Sequence, residues 1–180
     1  MKILNLFVIV ISFFTYTQTI QNSSANIKKI SDTTKVIQLN NQAFRSRLIN
    51  PDITISEANK ALKLAVKINY INGIAESYRV IGVGNSYKNS IDTAIENYLN
   101  ALSYFKRNKN LEGEAKVYNN IGNLYRDIDY NKSLENFEKS LKIATKLNIR
   151  DLIAGLKLNI GTAYQQRKNF PKALTYYQES

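Results

Sequence analysis

Three short patterns recur in register along the chain. Tyr78-x-x-Ile81-Gly82-x-x-Asn85, Tyr118-x-x-Ile121-Gly122-x-x-Tyr125 and Lys157-x-x-Ile160-Gly161-x-x-Tyr164 set their glycines 40 and then 39 residues apart. Each is followed by a second pattern: Ala94-x-x-x-Tyr98-x-x-Ala101-Leu102, then Ser133-x-x-x-Phe137-x-x-Ser140-Leu141, then Ala173-x-x-x-Tyr177-x-x-Ser180. A fixed period in this range marks a stack of one small unit, each copy burying its apolar face against the next.

Both patterns have helical spacing, with apolar and aromatic positions three, four and seven residues apart, so each unit reads as two amphipathic helices. A glycine inside a helix costs roughly 1 kcal/mol against alanine. Its return at Gly82, Gly122 and Gly161 therefore predicts a close approach of the partner helix, with the aromatic at Tyr98, Phe137 or Tyr177 packed nearby. Turns are predicted at Lys88–Ser90, Asp127–Asn131 and Arg167–Phe170, and Pro171 suits the first turn of the last helix, where its missing N–H does no harm.

A fainter unit precedes these. After the turn Asn50-Pro51-Asp52, the stripe Ile55, Ala58, Ala61, Leu62 and Ala65 predicts a second helix over Ile53–Ile68. Its first helix is expected over Lys35–Leu48, with Val36, Ile37, Leu39, Phe44 and Leu48 on the apolar side and no glycine. Terminal repeats commonly depart from the pattern in this way.

Residues 1–17, MKILNLFVIVISFFTYT, stand apart. Lys2 is followed by an apolar run from Ile3 to Phe14, interrupted by Asn5 and Ser12, and then by small and polar residues. This is the layout of a secretory signal peptide, with Thr15 and Thr17 at the −3 and −1 positions of a cleavage site before Gln18; an uncleaved anchor and an N-terminal core element are the alternatives. The run is well short of the roughly 20 residues that span a bilayer as a helix. Residues 18–34 are polar and read as a flexible leader. The expected location is exported, periplasmic or tethered on the extracytoplasmic side.

Composition excludes several chemistries. With no Cys there is no thiol nucleophile or disulfide framework, and with no His there is no Ser-His-Asp triad or ordinary zinc site. The expectation is a non-catalytic chain that needs no cofactor and no metal. Gly82-Val83-Gly84 looks like part of a phosphate loop, but it lacks a further glycine and a preceding strand, and the repeat already accounts for Gly82. The 12 Tyr and 25 Lys plus Arg could suggest nucleic-acid stacking. Tyr78, Tyr98, Tyr118, Tyr125, Tyr164 and Tyr177 instead occupy packing positions of the repeat, and no nucleic-acid partner is expected.

These residues resemble the tetratricopeptide repeat, in which an aromatic, a Leu-Gly pair, a Tyr, an Ala and a second aromatic recur. Asn85, Ser133 and Lys157 depart from that pattern, and the period is longer than the usual 34. The period of about 40 resembles the extended subclass found in sensory regions of bacterial signalling proteins. The resemblance implies an all-α, right-handed α-solenoid of seven or eight helices over 35–180, with units at about 35–73, 74–112, 113–151 and 152–180. The last unit stops in mid-helix, so the chain is expected to be a fragment or truncated frame. A kinase, phosphatase or DNA-binding part following it is one expectation, and a free-standing exported scaffold another.

The resemblance further implies that the first helices line a concave groove for a protein or peptide partner. The groove would present Arg79, Val83, Asn119, Asn120, Asn123, Arg126, Asn159, Thr162 and Gln166. Amide side chains can hold a ligand backbone through paired donors and acceptors; the alternative is that these amides satisfy neighbouring helices. A second candidate surface is basic. Lys60, Lys63 and Lys67 recur as Lys139, Lys142 and Lys146, 79 residues later, each trio on one helix face. In a chain of net charge +11, such a stripe would attract an acidic partner or an anionic membrane surface, or serve as a solvated face.

Overall fold

The computed structural model describes the backbone of residues 2–180 and the side chains of residues 18, 21 and 23–180. Eight α-helices follow one another: α1 (Lys2–Arg45), α2 (Pro51–Lys67), α3 (Ile71–Tyr87), α4 (Ile91–Arg107), α5 (Leu111–Tyr125), α6 (Tyr130–Lys146), α7 (Arg150–Gln166) and α8 (Phe170–Gln178). A short 3-10 turn, Ser46–Leu48, links α1 to α2. No strand occurs among the described residues. The helices pack in chain order as four antiparallel pairs, in the manner of tetratricopeptide repeats.

The glycine–aromatic pairs hold the three later units together. A Cβ on Gly82 would stand 2.6 Å from the Tyr98 ring, one on Gly122 2.5 Å from the Phe137 ring, and one on Gly161 2.7 Å from the Tyr177 ring. Tyr98 and Phe137 are fully buried across these notches, each contributing roughly 1.5–3 kcal/mol. Ser133, where the repeat pattern has alanine, is buried and donates to the Gly122 carbonyl at 2.8 Å. Ser140 likewise donates to the Ala115 carbonyl at 2.7 Å. Each hydroxyl thus carries its own hydrogen bond into the helix seam.

Five of the seven turns end their helix in one way. Asn69, Asn89, Lys109, Asn148 and Lys168 have positive φ, and the amide that follows each one reaches back five residues, as Tyr70 N–H does to the Ala65 carbonyl at 2.9 Å. This is the Schellman closure, made here without a single glycine. The α5–α6 turn differs: Ile128 and Asp129 both donate to the Tyr125 carbonyl, and the Asp129 side chain caps α6 through Lys132 N–H. Asn50 and Pro51 start α2, with Asn50 Oδ1 accepting from Asp52 and Ile53. First helices begin at Ile71, Leu111 and Arg150, two or three residues ahead of the expected unit boundaries, because the Schellman turns need only three residues.

The N-terminal region departs from the sequence reading. Residues 18–34 are helical and continue α1, where a flexible leader was expected. No glycine or proline occurs before Pro51, so nothing in the sequence interrupts a helix propagating backward from the packed segment. Thr33 and Thr34 add side-chain bonds to the carbonyls four residues earlier. The core face of α1 is Val36, Asn40 and Ala43, while Ile37 and Leu48, expected in the core, are exposed. The side chains of the apolar leader 1–17 lie outside the described residues.

Candidate functional site

The first helix of each unit faces a shared groove, into which two cavities open between α1, α3 and α5. The larger, about 580 Å³, is built from Phe44 and Arg47 of α1, Val83 and Ser86 of α3, and Asn119, Asn120 and Asn123 of α5, and is closed by Arg126 and Asp127. The smaller, about 200 Å³, lies toward the N-terminal ends of α3 and α5, among Asn40, Asn41, Asn72, Glu76, Glu112 and Lys116. Lys116 is ion-paired to Glu112 at 2.6 Å, and Asn72 Oδ1 accepts from both Asn108 and Asn110.

Five of the nine residues assigned to the groove from sequence line the larger cavity: Val83, Asn119, Asn120, Asn123 and Arg126. The other four are engaged elsewhere. Arg79 is 6% exposed, forms a two-pronged pair with Glu76 at 2.6 and 2.9 Å, and sits 4.9 Å from the Phe44 ring centre. Burial works against its charge, but attraction and hydrogen bonding from Glu76 outweigh burial and hold its pKa above the usual guanidinium value. Arg79 therefore braces the groove floor and is not a free cation.

Asn159 donates to Asn119 Oδ1 at 3.0 Å and Gln166 to Asp127 Oδ1 at 3.1 Å, tying α7 to the α5 side of the groove. Thr162 donates to its own helix at the Leu158 carbonyl and accepts a long bond from the Tyr177 hydroxyl. Of the two expected groove cations, Arg126 has no acidic partner among the described residues. Arg47, which the sequence reading did not include, donates to the Phe44 carbonyl and stacks on the Phe44 ring at 4.0 Å.

Two buried side-chain atoms among the described residues lack a hydrogen-bond partner, and both belong to residues lining these cavities. They are Oδ1 of Asn40 and Nδ2 of Asn120. Asn40 is 2% exposed; its Nδ2 donates to Ser77 Oγ, which donates in turn to the Gly73 carbonyl, and its Oδ1 is left over. An unpaired buried amide group costs about 1–3 kcal/mol, so each of these atoms is a cost that the packing beside the cavities leaves standing. Asn40 was missed because the first unit lacks the glycine that sets the register. Its equivalence to Arg79 and Asn119 emerges once Ala43 is seen clustering with Ala58, as Gly82 packs on Tyr98.

The lysine trios lie on α2 and α6 and are exposed. Lys60 pairs with Glu57 and Lys139 with Glu135, each at 2.6 Å.

No family model matches the chain. A stretch of 52 residues, 29% of the chain, is 44% identical to response regulator aspartate phosphatase I of Bacillus subtilis, and covers 13% of that protein. Among solved structures, the fold is similar to the apo form of RapI (TM-score 0.63, 18% identity, 79% of this chain and 54% of that one). It is also similar to BtubC (BKLC) of P. vanneervenii, with a TM-score of 0.61, 22% identity, and coverage of 72% of this chain and 54% of that one. The chain spans about half the length of these structures.

Proposed function

We propose that the chain is a non-catalytic module that binds a protein or peptide in the groove formed by α1, α3 and α5. The observation that carries this reading is the pair of unpaired buried amide atoms, Asn40 Oδ1 and Asn120 Nδ2, at the groove cavities. An extended backbone offers both N–H and C=O groups, the partners these amides lack, once each side chain turns into its cavity. The tetratricopeptide-like fold supports the same reading. So does the local match to a response regulator aspartate phosphatase, which suggests a signalling protein as the context. We assign the chain no dephosphorylating activity. In this reading it has no turnover, and activity that follows the polypeptide and disappears with a point change would overturn it.

The apolar run from Ile3 to Phe14 behind Lys2 supports export, with the groove on the extracytoplasmic side. A reporter fused after residue 34 that stays in the cytoplasm would remove this part of the proposal.

The groove is tested by selecting binders from a displayed random-peptide library. Selected peptides are then measured against Asn120→Ala with Asn159→Ala, and against Lys139→Gln, Lys142→Gln and Lys146→Gln. Loss in the asparagine pair with retention in the lysine triple is expected. The opposite result would move the binding surface to the basic stripe.

A further inference from the structure

The two lysine trios share their spacing but not their floors. Leu39 and Leu64 stand 79 residues before Tyr118 and Ile143, the same interval that separates Lys60, Lys63 and Lys67 from Lys139, Lys142 and Lys146. In the later unit the Tyr118 ring packs onto the central core, with Lys139 over it at 5.9 Å. In the first unit Leu39 stands where the later unit has the Tyr118 ring, and a cleft of about 510 Å³ opens between α1 and α2. Leu39 and Leu64 form its floor, and Lys35, Lys60, Lys63 and Lys67 surround it. It shares no lining residue with either groove cavity.

The charge around this cleft is largely uncompensated. Lys60 is held by Glu57, while Lys35, Lys63 and Lys67 make no ion pair among the described residues. Three cations on an apolar floor call for a partner that brings carboxylates and apolar side chains together. A second copy of this chain, at net charge +11, would bring repulsion instead. Lys60, Lys63 and Lys67 rise along α2 over about 10 Å, two helical turns. A helix laid alongside α2 repeats its side chains at that interval. Leu39 and Leu64 are half-buried among the lysines, so a partner that covers them must bring apolar side chains as well as carboxylates.

We propose that the α1–α2 cleft docks an acidic amphipathic helix of a partner protein. Two of its turns lie along the cleft, with apolar side chains on Leu39 and Leu64 and carboxylates toward Lys35, Lys63 and Lys67. This surface is separate from the groove and stands or falls independently of it.

The test uses the full chain and three probes. The first is a labelled synthetic helix with a leucine stripe flanked by glutamates, the second the same composition scrambled, and the third vesicles of phosphatidylglycerol and phosphatidylcholine. The patterned helix is expected to bind at least ten-fold more tightly than the scrambled one. The combined change Lys35→Gln, Lys63→Gln and Lys67→Gln should weaken it at least ten-fold, while Lys139→Gln, Lys142→Gln and Lys146→Gln should leave it within two-fold. Equal binding of the scrambled peptide, or equal loss in the α6 triple, would reduce the cleft to general electrostatics and overturn the proposal. Lysine-dependent capture of the vesicles without capture of the patterned helix would overturn it in favour of a lipid surface.

Discussion

Phe137 fills the notch left by Gly122 so closely that a single added methyl would stand 2.5 Å from its ring. The ring is fully buried and cannot swing away without opening the α5–α6 seam. Gly122→Ala should therefore destabilise by about 1–3 kcal/mol through overpacking, although alanine is the better helix former. Gly155, on the exposed side of α7 with nothing within 4 Å of its would-be Cβ, is the control. Gly155→Ala should stabilise by about 1 kcal/mol. Urea unfolding of the two variants checks both signs, and matching midpoints would mean that the seam yields where the packing says it cannot.

The Schellman turns supply a second expectation. Lys109 and Lys168 hold φ at 54° and 58°, a conformation that costs a side-chain-bearing residue roughly 1–2 kcal/mol. Both are exposed and make no ion pair among the described residues. Lys109→Gly and Lys168→Gly should each raise stability by about 1 kcal/mol, read as a higher denaturation midpoint. A lowered midpoint would mean that the lysine side chain contributes something the turn geometry does not show.

Asn120 separates stability from binding. Its Nδ2 is buried without a partner, so Asn120→Leu removes an unsatisfied group and should raise stability by about 1 kcal/mol. The same change should abolish capture of peptides selected on the groove. Thermal unfolding and peptide titration of one variant therefore move in opposite directions, whereas a residue with a merely structural role would lose both.

Tyr98 makes the fold sensitive to alkali. Burial pushes its phenol well above the ordinary tyrosine range, although Arg79 and a hydrogen bond to Ser86 pull the other way. Its folded pKa is raised, so its contribution is complete below about pH 10, the unfolded value, and is lost as pH climbs beyond that. Tyr98→Phe should flatten the fall in stability above about pH 10. An unchanged alkaline profile would assign that fall to Tyr70, Tyr130 and Tyr176, whose phenols burial also raises.

The architecture was legible in the sequence wherever a residue type had one structural explanation. Gly82, Gly122 and Gly161 inside helices required close neighbours, and the aromatics supplying them stood at fixed offsets. The groove was less legible, because a side chain on the right face can still be spent on its neighbours. Arg79 is consumed by Glu76, Asn159 by Asn119, and Gln166 by Asp127. Such pairings join residues 3 to 40 positions apart, and the longer ones depend on how adjacent units sit. Asn40 and Arg47 were invisible because their unit carries alanine at position 43, where the others carry glycine. Residues 18–34 are polar, which masks their helical state; the absence of any breaker before Pro51 is the stronger signal.

That unbroken helix has a mechanical consequence. The first buried side chain of α1 is Val36, and the same helix carries Asn40 and Phe44 into the two cavities. The described turns ahead of Val36, from residue 18 onward, project by about 25 Å as a continuous rod. A twist or tilt applied at the front of that rod is delivered, without a joint to absorb it, to the wall bearing the free Asn40 carbonyl. The geometry of the recess and the orientation of the rod are thus one coordinate: a ligand that reshapes the first must turn the second.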